Sequence, residues 1–140
     1  MFNNKGDGMI LCENRDNALS SDGKIYTNAE LTKLSKYIKY LSSKNLAFMK
    51  LDVEGSEGNV IEGGKELISK YHIPFIMMEF SLGMLKIHKT NALEFLEFFE
   101  NNGYKISTVD FLSKKYISVS EVAKFSGINE LFIVYEKILE

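Results

Sequence analysis

The feature that most constrains the fold of this chain is a pair of apolar runs separated by one helix-length segment. The runs "LAFMKLDV" (residues 46–53) and "PFIMMEF" (74–80) have strand length and no polar alternation, which indicates strands buried on both faces, as in a parallel sheet. Between them, "SEGNVIEGGKELISKYH" (56–72) repeats apolar residues at spacings of three and four, which predicts an amphipathic helix with Ser56 as the candidate N-cap. Strand, helix and strand in this order predict a unit of an α/β fold.

The same alternation continues along the rest of the chain. Further elements are predicted at 28–43 (helix, with Thr27 or Asn28 as N-cap), 91–103 (helix), 104–111 (strand), 118–127 (short helix) and 130–138 (strand). We therefore expect an open α/β sheet with helices on both sides. Residues 1–24 are rich in Asn, Asp, Gly and Ser, which predicts a loosely ordered N-terminal segment followed by one domain over residues 25–140.

Composition narrows the class of protein. The chain has 140 residues, the length of one ordinary domain, and its formal net charge of -2 argues against a nucleic-acid-binding face. The single cysteine, Cys12, excludes an internal disulfide and any multi-cysteine zinc cluster. No apolar run approaches the roughly 18 residues of a membrane span, and no signal-peptide pattern opens the sequence, so we expect a cytoplasmic chain without a membrane span.

Acidic residues stand where the two apolar runs end. Alternation along a strand places Lys50, Asp52 and Glu54 on one face, and Glu79 ends the second run. If the two strands are parallel neighbours, the three carboxylates converge in the crevice where open α/β sheets bind ligands. Gly55 lets the backbone turn tightly there and lets a ligand approach.

Converging carboxylates need compensation by a cation, a proton or hydrogen-bond donors. A divalent metal, a cationic ligand such as a sulfonium or ammonium group, and a hydroxyl-rich substrate all meet that need, and the spacing does not choose among them. For an arbitrary acidic strand end, solvated surface carboxylates are the commoner explanation. His72 and His88 have no partner at metal-ligand spacing, so each is predicted to be a surface or boundary histidine.

The stretch "FMKLDVEGSEGNVIEGGKELI", followed by "IPFIMMEFS", resembles the C-terminal half of the FkbM-type methyltransferases, which use S-adenosylmethionine. The family's phrase is an apolar strand ending in K-x-D-V-E-G-x-E, a helix with a small-residue pair, and a strand that is introduced by Pro and ends in Glu. The matching residues are Lys50, Asp52, Val53, Glu54, Gly55, Glu57, Gly63, Gly64, Pro74 and Glu79.

The resemblance implies a partial Rossmann-like (class I) methyltransferase fold, with a mostly parallel sheet and an antiparallel last strand. Residues 25–140 are then the distal half of the domain. In such enzymes a glycine-rich turn after the first strand cradles the cofactor, and "NNKGDGMILCENRDN" is too short to supply that half of the sheet. We therefore expect a truncated methyltransferase whose exposed sheet edge favours self-association.

Three functions follow from these residues. The first is methyl transfer from S-adenosylmethionine to a hydroxyl of a small molecule or sugar, with Asp52, Glu54 and Glu79 as catalytic residues and Lys50, Asp52 and Gly55 on the cofactor side. The second is a non-catalytic remnant that serves as a structural or partner-binding module. The third is a metal-dependent hydrolase that uses the same three acids as ligands, although we predict no metal site.

Overall fold

The computed structural model describes residues 32–41 and 46–139, and the predictions for residues 1–24, Thr27, Asn28 and Cys12 lie outside them. Its elements in chain order are a 3-10 turn (Leu34–Tyr37), α1 (Ile38–Leu41), β1 (Phe48–Leu51), α2 (Glu57–Tyr71), β2 (Phe75–Ser81), α3 (Leu82–Ile87), α4 (Ala92–Asn101), β3 (Tyr104–Ser107), β4 (Tyr116–Ile117), α5 (Val119–Val122), β5 (Ile128–Tyr135) and a 3-10 turn (Glu136–Ile138).

The unit formed by β1, α2 and β2 confirms the strand–helix–strand prediction. The two strands pair in parallel, with Phe48 opposite Phe75 and Leu51 opposite Met78. The apolar stripe of α2 is buried, as its spacing predicts. Gly64 packs against Leu34 of the preceding 3-10 turn, where a Cβ atom at position 64 would lie 2.9 Å from Leu34 Cδ2.

The predicted mostly parallel sheet is wrong. The strand order is β1-β2-β5-β3-β4, and only β1 and β2 are parallel, while β5 is antiparallel to both its neighbours and β4 is antiparallel to β3. The last strand, β5, inserts between β2 and β3 and runs opposite to both, so both of its pairings are antiparallel. The predicted antiparallel last strand is confirmed, and β1, β2 and β3 share one direction, so their carboxyl ends lie at one edge of the sheet.

The core lies on one face of the sheet. The buried sheet residues that form a single cluster with those of α2 to α5 are Leu51, Ile76, Met78, Phe80, Tyr104, Ile106, Leu131 and Ile133. The strand register places all eight on the same face. Burial along β2 alternates, so the expectation of burial on both faces is not met in this strand, although Val134 of β5 and Ser107 of β3 are buried on the other face. The buried hydrophobic residues of α2 to α5 all join the cluster on one face, so the expectation of helices on both sides is not met within the described ranges.

The opposite face, called the open face below, carries Phe48, Lys50, Phe75, Met77, Glu79, Glu130 and Phe132. The loop between β3 and β4 lays Phe111 on it, with ring centroids 5.2 Å from Phe75, 5.1 Å from Phe132 and 6.1 Å from Phe48. Four aromatic side chains therefore shield part of the open face, while Phe48 stays 50% exposed.

Several element boundaries differ from the predictions. The strand expected over 104–111 ends at Ser107, because Asp110 Oδ1 accepts hydrogen bonds from the amides of Leu112 and Ser113, each at 2.6 Å, and turns the chain. The short helix expected over 118–127 spans only Val119–Val122. Neither α3 nor β4 was predicted. No helix in the part of the chain that the structure describes is long and apolar enough to cross a membrane.

Candidate active site at the carboxyl edge of the sheet

The turn between β1 and α2 has an unusual backbone. Glu54 has φ +52 and Gly55 has φ +91, two consecutive residues in the left-handed region. Inside the turn, the carboxylate oxygen Glu57 Oε1 accepts a hydrogen bond from the amide of Val53 at 3.2 Å and one from the amide of Gly55 at 3.3 Å. The sequence predicts only that the charge of Glu57 is favourable in the first turn of a helix. In the structure, the side chain of Glu57 also accepts hydrogen bonds from the backbone of the turn that precedes the helix.

Gly55 is required by packing as well as by its dihedral angle. It is buried, and a Cβ atom at this position would lie 2.6 Å from Met84 Cβ in α3. The close approach therefore involves the chain's own α3. A contact between Gly55 and a cofactor stays a prediction.

Ser56 stands at the N-cap position of α2, as predicted, but its side chain makes no capping hydrogen bond. Its hydroxyl lies 3.4 Å from Nδ1 of His88, the residue that follows α3. No residue pattern predicts this pair, because the two residues are 32 positions apart and meet only when α3 folds over the turn. The pair ties the β1–α2 turn to the segment after β2.

Lys50 and Asp52 form an ion pair on the open face, with 3.0 Å between Nζ and Oδ2. Alternation along β1 predicts that the two share a face, and the contact confirms it. The side chains are 58% and 42% exposed, so the pair stabilises the fold little. Its effect is local: the hydrogen bond with Asp52 is the largest cause that raises the pKa of Lys50, and charges on Glu130 and Glu79 add to it.

Glu79 lies one register step beyond the pairing of Leu51 with Met78, beside the position where Asp52 leaves β1. Burial raises the pKa of its carboxyl, and the negative charges of Asp52 and Glu54 raise it further, whereas Lys50 lowers it. The negative charges of Asp52 and Glu54 therefore act on Glu79 at this edge of the sheet.

Glu130 is a fourth carboxylate that the sequence did not reveal. It is the register partner of Glu79 on β5, and its charge acts on Lys50. The sequence does show that Glu130 stands at the start of the apolar run of the last strand. It does not show which residue lies beside Glu130, because that depends on where the last strand inserts in the sheet.

A metal-dependent hydrolase needs a set of metal ligands, which the described part of the chain does not contain. Over residues 32–41 and 46–139 there is no group of three or more His, Cys, Asp or Glu side chains arranged to hold a metal ion. A separate cavity of about 240 Å³ lies between α2, α4 and the segment that joins α3 to α4, and its lining includes Asn59, Lys65 and His88. None of Asp52, Glu54 and Glu79 lines it.

A family model described as the methyltransferase FkbM domain matches residues 7–106, more than half of the chain. The chain belongs to the FkbM methyltransferase family. Membership confirms the resemblance carried by the K-x-D-V-E-G-x-E phrase and the strand that ends at Glu79. Searches of curated proteins and of solved structures gave no match.

The FkbM match runs through β1, α2, β2, α3 and α4 and ends at Ile106 in β3. Asp52, Glu54, Glu57 and Glu79 all lie within it, and Glu130 lies outside. The carboxyl edge of the sheet is therefore built from the FkbM part of the chain plus one acid from the last strand.

Proposed function

We propose that this chain transfers a methyl group from S-adenosylmethionine to a hydroxyl of a small molecule or sugar. Family membership supports methyl transfer as the reaction. The observation that carries the proposal is the gathering of carboxylates around Glu79, whose pKa is raised by burial and by the charges of Asp52 and Glu54. This edge of an α/β sheet is where ligands of such folds bind.

Glu79 is assigned the role of general base. A carboxylate whose pKa is raised accepts a proton more effectively than an ordinary carboxylate does. Glu79 takes the proton of the acceptor hydroxyl, and Asp52 and Glu54 hold that hydroxyl in place. The glutamate thereby increases the nucleophilicity of the oxygen that receives the methyl group.

The charge balance of the site fits a cationic cofactor. Among the described residues, five carboxylates, those of Asp52, Glu54, Glu57, Glu79 and Glu130, act here together with the Lys50 ammonium, which is paired with Asp52. S-adenosylmethionine supplies an electrophilic methyl group on a positively charged sulfonium, which an excess of carboxylates stabilises. Lys50, Asp52 and Gly55 are assigned to the cofactor side, with Lys50 fixing the orientation of the Asp52 carboxylate.

The alternative is a non-catalytic structural or partner-binding module. The observation that favours it is the packing of Gly55, whose approach is occupied by Met84 of α3 rather than open to a ligand. Both candidates predict the same fold. They differ in whether the chain binds the cofactor.

Calorimetric titration with S-adenosylmethionine separates the two functions. The enzyme proposal predicts saturable heat for the wild type, and a chain that serves only as a module should give none. Methyl transfer from labelled cofactor to a panel of monosaccharides and small alcohols then identifies the acceptor.

Substitutions test the assigned roles. Glu79→Gln is expected to lower kcat/KM by roughly 100-fold or more, which is the contribution of a general base. Asp52→Asn and Glu54→Gln are each expected to abolish detectable methyl transfer. Glu66→Gln, at an exposed position of α2, is the matched control and should leave the rate unchanged. Normal rates in all three site variants would overturn the assignment.

A further inference from the structure

We propose that Glu57 is a positioning residue, whose buried carboxylate holds the β1–α2 turn in the conformation that presents Asp52 and Glu54 to Glu79. The turn conformation is a property of the chain itself, and the catalytic consequence rests on the proposed function. Glu57 is 3% exposed although it is the first residue of α2, where acidic side chains ordinarily face solvent. A buried carboxylate is costly unless hydrogen-bond donors satisfy it.

The donors that satisfy Glu57 are two amides of the turn. Both the Val53 and the Gly55 amides donate to the same oxygen, Oε1, and they flank Glu54 in the chain. Glu54 is a non-glycine residue at φ +52, a conformation that persists only where the surroundings impose it. One oxygen that bridges the residues on either side of Glu54 imposes that conformation directly.

The outer side of the turn is held as well. The Ser56 hydroxyl contacts His88, and Gly55 packs against Met84, so the turn is clamped between Glu57 inside and α3 outside. Because α3 begins directly after β2, this clamp fixes Asp52 and Glu54 relative to the strand that carries Glu79. The side chain of Glu57 thus acts through the turn and not on the substrate.

The test compares two conservative substitutions with opposite properties. Glu57→Gln removes the charge but keeps an oxygen at the same reach, because both hydrogen bonds go to Oε1. Glu57→Asp keeps the charge but shortens the side chain, so that its carboxylate cannot reach both amides. The positioning role predicts that Gln preserves the turn and Asp does not, the reverse of what a purely electrostatic role predicts.

Amide hydrogen exchange at Val53 and Gly55, measured without cofactor, reports on the turn itself. We expect roughly 10- to 100-fold faster exchange in Glu57→Asp, from the loss of two hydrogen bonds, and exchange close to the wild type in Glu57→Gln. Glu66→Asp, on the exposed side of α2, is the matched control. Wild-type exchange in the Asp variant, or fast exchange in the Gln variant, overturns the proposal.

Activity measurements then test the consequence for the site. Glu57→Asp should lower kcat/KM for methyl transfer by more than Glu57→Gln does, because Gln preserves the turn. If the wild type shows no cofactor binding, the proposed function fails while the exchange result still decides the role of Glu57. Equal activity of both variants alongside the expected exchange difference would remove the link between the turn and catalysis.

Discussion

Under the proposed function, Glu79 is the general base of the site. It stands at the end of β2 on the open face, half-buried, and faces negative charge from Asp52, Glu54 and Glu57. Burial and like charge both favour the protonated carboxyl, whereas Lys50 favours the ionised form, and the net result is a raised pKa. A carboxylate in this setting exerts a stronger pull on a proton than one in water.

The raised pKa of Glu79 predicts a pH dependence of stability. A carboxyl whose pKa is higher in the folded state binds its proton more tightly there than in the unfolded chain, so the free energy of unfolding falls as pH rises from the ordinary value of 4.5 through the folded-state value. Glu79→Gln should remove this decline and be relatively more stable than the wild type at neutral pH. Urea unfolding between about pH 4 and about pH 7 measures the difference.

The control for this experiment is Glu66→Gln, which removes one acid from an exposed position of α2. Its free energy of unfolding should follow that of the wild type over the same pH range. A Glu79→Gln variant that keeps the wild-type slope would contradict the environment assigned to Glu79.

At the scale of elements, α4 shows how far periodicity predicts packing. In "NALEFLEFFENNG", the spacing of three between Leu93, Leu96 and Phe99 predicts that these residues form the centre of the apolar stripe. Leu96 and Phe99 are fully buried, but Leu93 is 40% exposed and Phe95 takes its place in the core. The side of a helix that is buried depends on the sheet against which it packs, and the spacing of apolar residues does not specify that sheet.

The N-terminus of α4 predicts a stability effect that is independent of the site. Asn91 Oδ1 accepts hydrogen bonds from the amides of Leu93 at 3.1 Å and Glu94 at 3.4 Å, which makes Asn91 the N-cap. Asn91→Ala should lower the free energy of unfolding by about 1 kcal/mol. Asn91→Asp should lower it less, because aspartate keeps the capping oxygen and loses only the hydrogen bond that Asn91 Nδ2 donates to Glu94 Oε1. Thermal or urea unfolding checks both. Equal stability of the Ala and Asp variants would show that the cap contributes nothing.

At the scale of the whole molecule, β1 lies at an end of the sheet order and, in the described part of the chain, pairs only with β2. An unpaired edge is a template for another strand. Phe48 adds an exposed aromatic ring on that edge strand. We propose that two copies of the chain associate through β1 around a two-fold axis.

Analytical ultracentrifugation over a range of concentrations tests this association. The wild type should form dimers, and Phe48→Lys should shift the equilibrium toward the monomer by placing a charge at the interface. Ile87→Lys is the matched control, because Ile87 is also an exposed apolar residue, at 71%, but lies at the end of α3. A wild type that stays monomeric at all concentrations removes the proposal.

The local elements and the family are determined by the sequence alone. The spacing of apolar residues predicted β1, α2, β2 and α4, and Asn102 with Gly103, at φ +80, ends α4 as its residue types indicate. The phrase from Lys50 to Glu57 identified the family, because its residues are close in the chain and each meets a local requirement of the turn or the strand end.

Only the tertiary structure decided which strands are neighbours. The insertion of β5 between β2 and β3 makes the sheet mostly antiparallel in its pairings and sets Glu130 beside Glu79. The pairing of Ser56 with His88 depends in the same way on α3 folding over the turn. A residue pattern specifies which side of a helix or strand is apolar. The element that packs against that side depends on packing over the whole chain, so contacts between distant residues form only when the sheet is assembled.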